Sequence, residues 1–235
     1  MLGVLVNTVA VLLGGTIGLA AKKGIPERYS VTIMAGLGLC TMLIGITGAL
    51  QSENPIILIA SIVLGAIAGT ALKLNERLET AGEKLEKRFA GNKAADGKRT
   101  VAQGFVTASL LFCVGSMSIL GSINSGLNGD HTIIYTKSAM DFVSSAIFAA
   151  SLGFGVLFSA ISVFVTQGLL VLLAQLLRPL IDNPSMLAEV SGAGSVILVA
   201  LGLNLAGVAK IKAVDYLPAM IFAPVLYMLA DLLIK

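Results

Sequence analysis

Apolar runs of about 20 residues recur along almost the whole of this 235-residue chain, and no other feature limits its fold as strongly. About 20 apolar residues in helical conformation span the roughly 30 Å hydrocarbon core of a bilayer. Lipid offers the backbone no hydrogen-bond partners, so only helices and closed barrels cross it. The runs lack the period-two alternation of barrel strands. The expected fold is therefore all-α, a polytopic transmembrane helix bundle. Composition agrees: 12% of residues are charged, against about 25% in soluble domains, and mean hydropathy is +0.93.

Eight membrane segments are expected, at 2–21, 30–50, 55–74, 103–122, 134–152, 155–179, 188–208 and 214–234. The fifth and sixth together are too long for one crossing, and Gly153 and Gly155 offer a break between them. Merging them would reduce the count to seven. The segment 134–152 also reads as a half-span or re-entrant piece, because it carries Lys137, Asp141, Ser144 and Ser145; such backbone is tolerated where it lines a cavity or is buried in protein. Residues 1–235 are expected to form a single integral membrane domain. Its N-terminus lacks a basic n-region and reads as a retained first span.

Lys and Arg in the short loops set orientation. Lys22, Lys23 and Arg28, the eight basic residues from Lys73 to Arg99, and Lys210 with Lys212 fall on one side, thirteen in all, against Lys137, Arg178 and Lys235 on the other. The richer side is expected to be cytoplasmic, with both termini on the outer side. Merging 134–179 again gives thirteen against three, because Lys210 and Lys212 exchange sides with Arg178 and Lys235, so charge does not choose between seven and eight spans. The formal charge of +3 is too small to imply nucleic acid.

Residues 75–102 form the one sizeable soluble stretch. Leu74, Leu78, Ala81, Leu85 and Phe89 share a helical stripe, and GNKAADGKR follows as a polar linker. An amphipathic helix on the cytoplasmic face is expected. A weak internal repeat matches Gly3-Val4-Leu5 with Gly155-Val156-Leu157, and Gly36-Leu37-Gly38 with Gly192-Ala193-Gly194. It pairs spans one to three with spans six to eight as inverted repeats flanking a central hairpin, an arrangement used by secondary transporters.

Polar groups concentrate between Phe112 and Asp141. Lys137 and Asp141 lie four apart, on one helix face about 6 Å apart along the axis. Each would cost roughly 2.5–3.5 kcal/mol if isolated at mid-membrane. Lys137 is near enough to the outer boundary to snorkel, with Asp141 about a turn deeper. The pair reads as a structural ion pair or as a site lining a pathway. Asn7 enters from the same outer side at similar depth, and Gln167 and Ser118 are further polar residues within spans; each is either an interhelical hydrogen-bonding group or part of the site.

Glu189 opens the seventh span and is expected to favour its own helix N-terminus. Asp130 and His131 read as solvated turn residues. Cys40 and Cys113 read as buried small apolar groups without metal spacing. Gly14-xxx-Gly18 and Gly65-xxx-Gly69 permit close helix contact within or between protomers. Gly36, Gly153 and Gly192 are candidate helix breaks, and Pro218 and Pro224 candidate kinks in the last span. Enzyme signatures are absent: there is no H-E-x-x-H, G-x-S-x-G or P-loop. No cofactor or metal is expected, and the chain is not read as an enzyme.

The segments FCVGSMSILGSINSGLNGD and TKSAMD, with NTVAVLLGG near the start, KKGIPER after the first span, and SLGFG and VTQG in the sixth, resemble the bacterial YqgA/YdfK family along essentially the whole chain. The resemblance implies an all-helical bacterial inner-membrane protein, a candidate transporter without an established substrate. Its motifs fall on Asn7, Gly14, Gly15, Gly115, Gly121, Gly126, Asp130, Lys137, Ser138, Asp141 and Gln167.

The leading expectation is a transporter or channel for an ion or small solute, built as a homo-oligomer. Its site would hold Asp141, Lys137, Asn7, Gln167 and Ser118 near the outer half of the bilayer. The alternative is a non-transporting scaffold or sensor acting through the 75–102 helix.

Overall fold

A computed structural model describes residues 1–22, 27–89 and 101–234. The described residues form α1 (Leu2–Lys22), α2 (Glu27–Ala49), α3 (Pro55–Ala71), α4 (Leu74–Phe89), α5 (Val101–Cys113), α6 (Ser116–Asn128), α7 (Thr132–Leu152), α8 (Gly155–Leu172), α9 (Arg178–Asp182), α10 (Pro184–Leu205) and α11 (Ala219–Ile234), with a 3-10 turn at Ala213–Tyr216. The all-α expectation holds. Five of these stretches are long and apolar enough to cross a membrane, or up to seven if each of two bent helix pairs is one span. α7 is not among them by hydropathy, although it is 21 residues long. The linker expected at 91–99 lies outside the described residues.

Several boundaries have visible local causes. α3 and α10 both begin with an Asn-Pro pair: Asn54 Oδ1 accepts from Ile56 N at 3.0 Å and Asn183 Oδ1 from Met186 N at 3.0 Å. Each proline occupies the first helical position, where its missing N–H costs nothing. The 103–122 segment is not one helix. α5 and α6 meet at 61° around Gly115, whose φ of +142° suits only glycine. The 55–74 segment likewise ends at Ala71, and α4 leaves it at 53°. α8 stops at Leu172, short of the expected 179. Gly153 does break the chain, at φ +86°, whereas Gly36 and Gly192 sit inside uninterrupted helices. Pro218 precedes α11 and only Pro224 lies within it. Cys40 is exposed rather than buried, and Cys113 is half-buried; both are free thiols.

The chain divides into two compact units. The first comprises Met1–Met34, Glu76–Cys113 and Met117–Gln175. Within it α1 lies against α7 in the same direction: Gly3 faces Ile134, Gly14 faces the Phe142 carbonyl and Gly18 the Ala146 carbonyl. α8 runs opposite to α1, with Gly15 on Leu157 and Asn7 on Gln167. α7 and α8 are therefore antiparallel, folded back at Gly153. The α5–α6 pair runs along α8 in the same direction, with Gly155 on Val101, Ser109 on Ser162 at 2.8 Å and Gly126 on Val171.

The second unit comprises Ala35–Asn75, Val114–Ser116 and Leu176–Lys235. α2 and α10 are antiparallel: Gly38 meets Gly202 and Ala206, and Gly45 meets Ser195 and Val199. α3 and α11 are antiparallel too, with Gly65 on Ala219 and Gly69 on Asp215 at the 3-10 turn. The faces of Gly14, Gly18, Gly65 and Gly69 are thus filled from within the chain, which removes them as contact faces for a second copy.

Glu189 does not serve its own helix. Fully buried, its carboxylate accepts from Ser52 Oγ, Glu53 N and Asn54 N, each at 2.8 Å, and so closes the turn that enters α3. Asp215 plays a similar part elsewhere, accepting from Asn75 N at 2.9 Å just past the α3–α4 bend. Because a hydrogen bond to a charged group is worth about 1.5–3 kcal/mol, Glu189→Ala should destabilise the protein by at least that much. It should also raise hydrogen exchange at the Glu53 and Asn54 amides; unchanged protection there would remove the carboxylate as the closing element.

Candidate functional site

The five residues singled out in sequence meet inside the first unit. α1 brings Asn7 against α7 because Gly3, Gly14 and Gly18 let the two backbones approach. Asn7 Nδ2 donates to Asp141 Oδ2 at 3.0 Å and to Gln167 Oε1 at 3.2 Å. Gln167 Nε2 donates to Ser118 Oγ at 3.2 Å. Ser118 in turn donates to the Phe112 carbonyl at 3.2 Å, across the α5–α6 break. Lys137 Nζ donates to both carboxylate oxygens of Asp141, at 2.9 and 2.7 Å. A continuous chain of polar contacts thus joins α1, α6, α7 and α8.

Burial decides what surrounds the cluster. Asn7 and Gln167 are 0% exposed, Ser118 1%, Asp141 5% and Lys137 7%, so these groups face protein. Lys137 does not snorkel; it folds along its own helix onto Asp141, in an order that is poor for isolated helices and is here supported by Asn7. The cluster has no net formal charge, with the ammonium and carboxylate paired.

One atom in it is left over. Asn7 Oδ1 is buried and has no hydrogen-bond partner among the described residues. Turning the amide over would set that oxygen against Asp141 Oδ2 and Gln167 Oε1, so the network fixes the orientation. An unsatisfied buried acceptor costs about 1–3 kcal/mol. Ser122, one turn further along α6 from Ser118, is also buried, and its hydroxyl has no partner among the described residues. Ser125 continues the row and bonds His131 Nδ1 at 2.7 Å. Small hydroxyls therefore mark one face of α6 from the cluster to the 129–131 turn.

The remaining candidates lie apart from it. His131 stays in the turn, edge-on to Tyr135 at 5.7 Å. Asp130 accepts from the Thr132 amide and hydroxyl at 2.9 and 2.6 Å and from Asn124 at 3.2 Å; these bonds, the Thr132 hydroxyl first, hold its carboxyl below the usual range. Cys113 lies beside Thr166 and within electrostatic reach of Lys137 and Asp141, a neighbourhood that the apolar sequence around it does not announce. Asp215 is likewise unmarked, except as an acidic residue at the edge of an apolar segment.

Comparison with known proteins agrees with the motifs. The family described as a protein of unknown function, DUF554, matches residues 2–228. The chain is 33% identical over 229 residues to the uncharacterized membrane protein YdfK of Bacillus subtilis (strain 168), covering 96% of this chain and 95% of that protein. It is also 33% identical over 223 residues to the uncharacterized protein YqgA of Escherichia coli (strain K12), covering 95% and 94% respectively. No solved structure matches. With matches running nearly end to end, and with apolar helices of membrane-spanning length, the chain belongs to the DUF554 family of membrane proteins.

Proposed function

We propose that this protein is a transporter or channel for an ion or small solute, with its site at the Asp141–Lys137–Asn7–Gln167–Ser118 cluster. The observation that carries it is the convergence of five buried polar side chains from four helices with an acceptor left over. Packing alone does not call for such a cluster, because polar groups within membrane segments are costly. The row Ser118, Ser122, Ser125 supports a polar route from the outer turn. Asn7 lies about 8 Å from the start of α1, and Gln167 about 8 Å from the end of α8. Since α1 and α8 are antiparallel, both depths are measured from the same side, which supports a site in the outer half of the bilayer.

The proposed topology has eight crossings, both termini outside, in a bacterial inner membrane. α7 misses on mean hydropathy, but its Lys137, Ser138, Asp141 and Ser145 are buried within the protein and need not meet lipid. The opposed courses of α7 and α8 support two crossings there. Inverted repeats are supported by the neighbour pattern: α1 with α8, α2 with α10 and α3 with α11 are each antiparallel partners. A homo-oligomer would use surfaces other than the four filled glycine faces. No catalytic step is assigned.

A second role, in which the cluster only ties helices together in a non-transporting scaffold, is favoured by the bidentate pairing of Lys137 with Asp141. Flux separates the two. In a proteoliposome screen of ions and small solutes, the conducted species should move at least about tenfold more slowly through Asp141→Asn, a loss of about 1.4 kcal/mol in barrier terms. Unchanged flux in a folded Asp141→Asn protein would remove Asp141 from the transport site, and no flux under any gradient would leave the scaffold role standing.

A further inference from the structure

We infer that the solute this protein carries is small, neutral and hydrogen-bonding, and that it passes along the hydroxyl face of α6 with Ser122 Oγ as a binding station. This rests on the transporter assignment above and names the substrate class and one more residue of its route.

The inference starts from how the serines of α6 use their hydroxyls. Buried serines on other helices turn back onto the preceding turn: Ser61 donates to the Ile57 carbonyl at 2.6 Å, Ser138 to the Ile134 carbonyl at 2.7 Å and Ser159 to the Val156 carbonyl at 2.6 Å. Such a bond satisfies the hydroxyl within its own helix. α6 departs from that pattern. Ser118 accepts from Gln167 Nε2 of α8, and Ser125 pairs with His131 Nδ1 in the outer turn. Between them Ser122 is 0% exposed, and its Oγ has no partner among the described residues. A hydroxyl offers one donor and two acceptor lone pairs, and leaving them idle in a buried place is costly. Ser122 is thus equipped for a guest that both gives and takes hydrogen bonds.

Charge and spacing define that guest. α6, SMSILGSINSGLN, carries no ionisable side chain, and its Gly121 abuts Ile133 and Ile134 of α7. An ion at Ser122 would leave water with no opposite charge on this helix to replace it. A neutral polar molecule only exchanges hydrogen bonds with water for bonds to hydroxyls. At the cluster end of the row, the Lys137 ammonium is held by both oxygens of Asp141, so no net charge draws an ion inward. Helix geometry sets Ser118 and Ser122 about 6 Å apart along the axis, and Ser122 and Ser125 about 4.5 Å apart. A molecule the size of urea or glycerol reaches from one hydroxyl toward the next and is handed on without losing every partner.

The test uses the full-length protein in proteoliposomes. Urea and glycerol entry is read by light scattering after a stopped-flow osmotic jump, with ²²Na⁺ and ³⁶Cl⁻ uptake measured alongside. At least one neutral solute is expected to enter several times faster than into protein-free vesicles, and neither ion should. Ser122→Ala removes the hydroxyl without adding bulk and should slow that entry about tenfold, the order expected for one hydrogen bond lost in passage. Ser122→Cys in a Cys40→Ala/Cys113→Ala background should be blocked by a membrane-impermeant methanethiosulfonate present on both faces. Ion flux without neutral-solute flux overturns the inference and keeps the transporter. Unchanged entry through a folded Ser122→Ala protein overturns the role of Ser122, and an unblocked Ser122→Cys protein overturns the route. No flux of either kind overturns the inference and, if no other gradient drives any, the transporter with it.

Discussion

Asp141→Leu is expected to destabilise the protein by about 3–5 kcal/mol, whereas Lys137→Met/Asp141→Leu should recover most of that loss. The asymmetry follows from burial. Lys137 is 7% exposed and both of its observed bonds go to Asp141. Removing the carboxylate strands a buried ammonium without its counter-charge; removing both charges leaves apolar side chains of similar volume. Lys137 lies about 8 Å into α7, so part of the loss is relieved if its stem straightens toward the helix start, which places Asp141→Leu at the lower end of the range. Recovery in the double variant should be incomplete, because Asn7 loses one acceptor and keeps only Gln167. Unfolding measured by denaturant titration in mixed micelles gives the coupling energy directly. A double variant no more stable than Asp141→Leu would show that the pair is not what holds the cluster. Activity adds the decisive contrast: a double variant that is stable yet inactive in flux separates the site's function from its contribution to the fold.

The sequence carried the parts of this arrangement that follow from composition and spacing. Runs of about 20 apolar residues had to become helices, and Lys137, Asp141, Asn7, Gln167 and Ser118 stood out because polar groups are scarce in such runs. Their meeting point was legible only as shared depth from one side. Which helices pair was not legible, since the partners of Gly14 and Gly18 are the Phe142 and Ala146 carbonyls, and any small-residue stripe could have chosen them. The α5–α6 break was hidden because Val114 and Gly115 interrupt hydropathy no more than any other glycine in the chain; only the φ of Gly115 reveals it. Glu189 looked like a cap for its own helix because sequence shows near neighbours alone, whereas its partners lie at Ser52 to Asn54. The orphaned Asn7 oxygen is a property of the assembled network and has no sequence signature.

Gly18→Leu should be the most damaging substitution outside the cluster, costing about 3 kcal/mol or more, and Gly14→Leu should come close. A side chain at Gly18 would overlap the Ala146 carbonyl and one at Gly14 the Phe142 carbonyl and Ser145 Oγ. Backbone carbonyls cannot swing aside as a flexible side chain can, so the helices must part. Parting them withdraws Asn7 from Asp141 and Gln167, and the polar cluster opens as a consequence of a change made about two to three helical turns away. The expected results are poor accumulation in the membrane, early unfolding in detergent, and faster alkylation of Cys113, which neighbours the cluster, in a Cys40→Ala background. Gly36→Ala is the matched control. It lies inside α2 with open space around its Cβ position, so replacing glycine in a helix interior should stabilise by about 0.5–1 kcal/mol. If Gly18→Leu and Gly36→Ala behaved alike, the glycines of α1 would be incidental. The close approach of α1 to α7, which brings Asn7 to the site, would then need another cause.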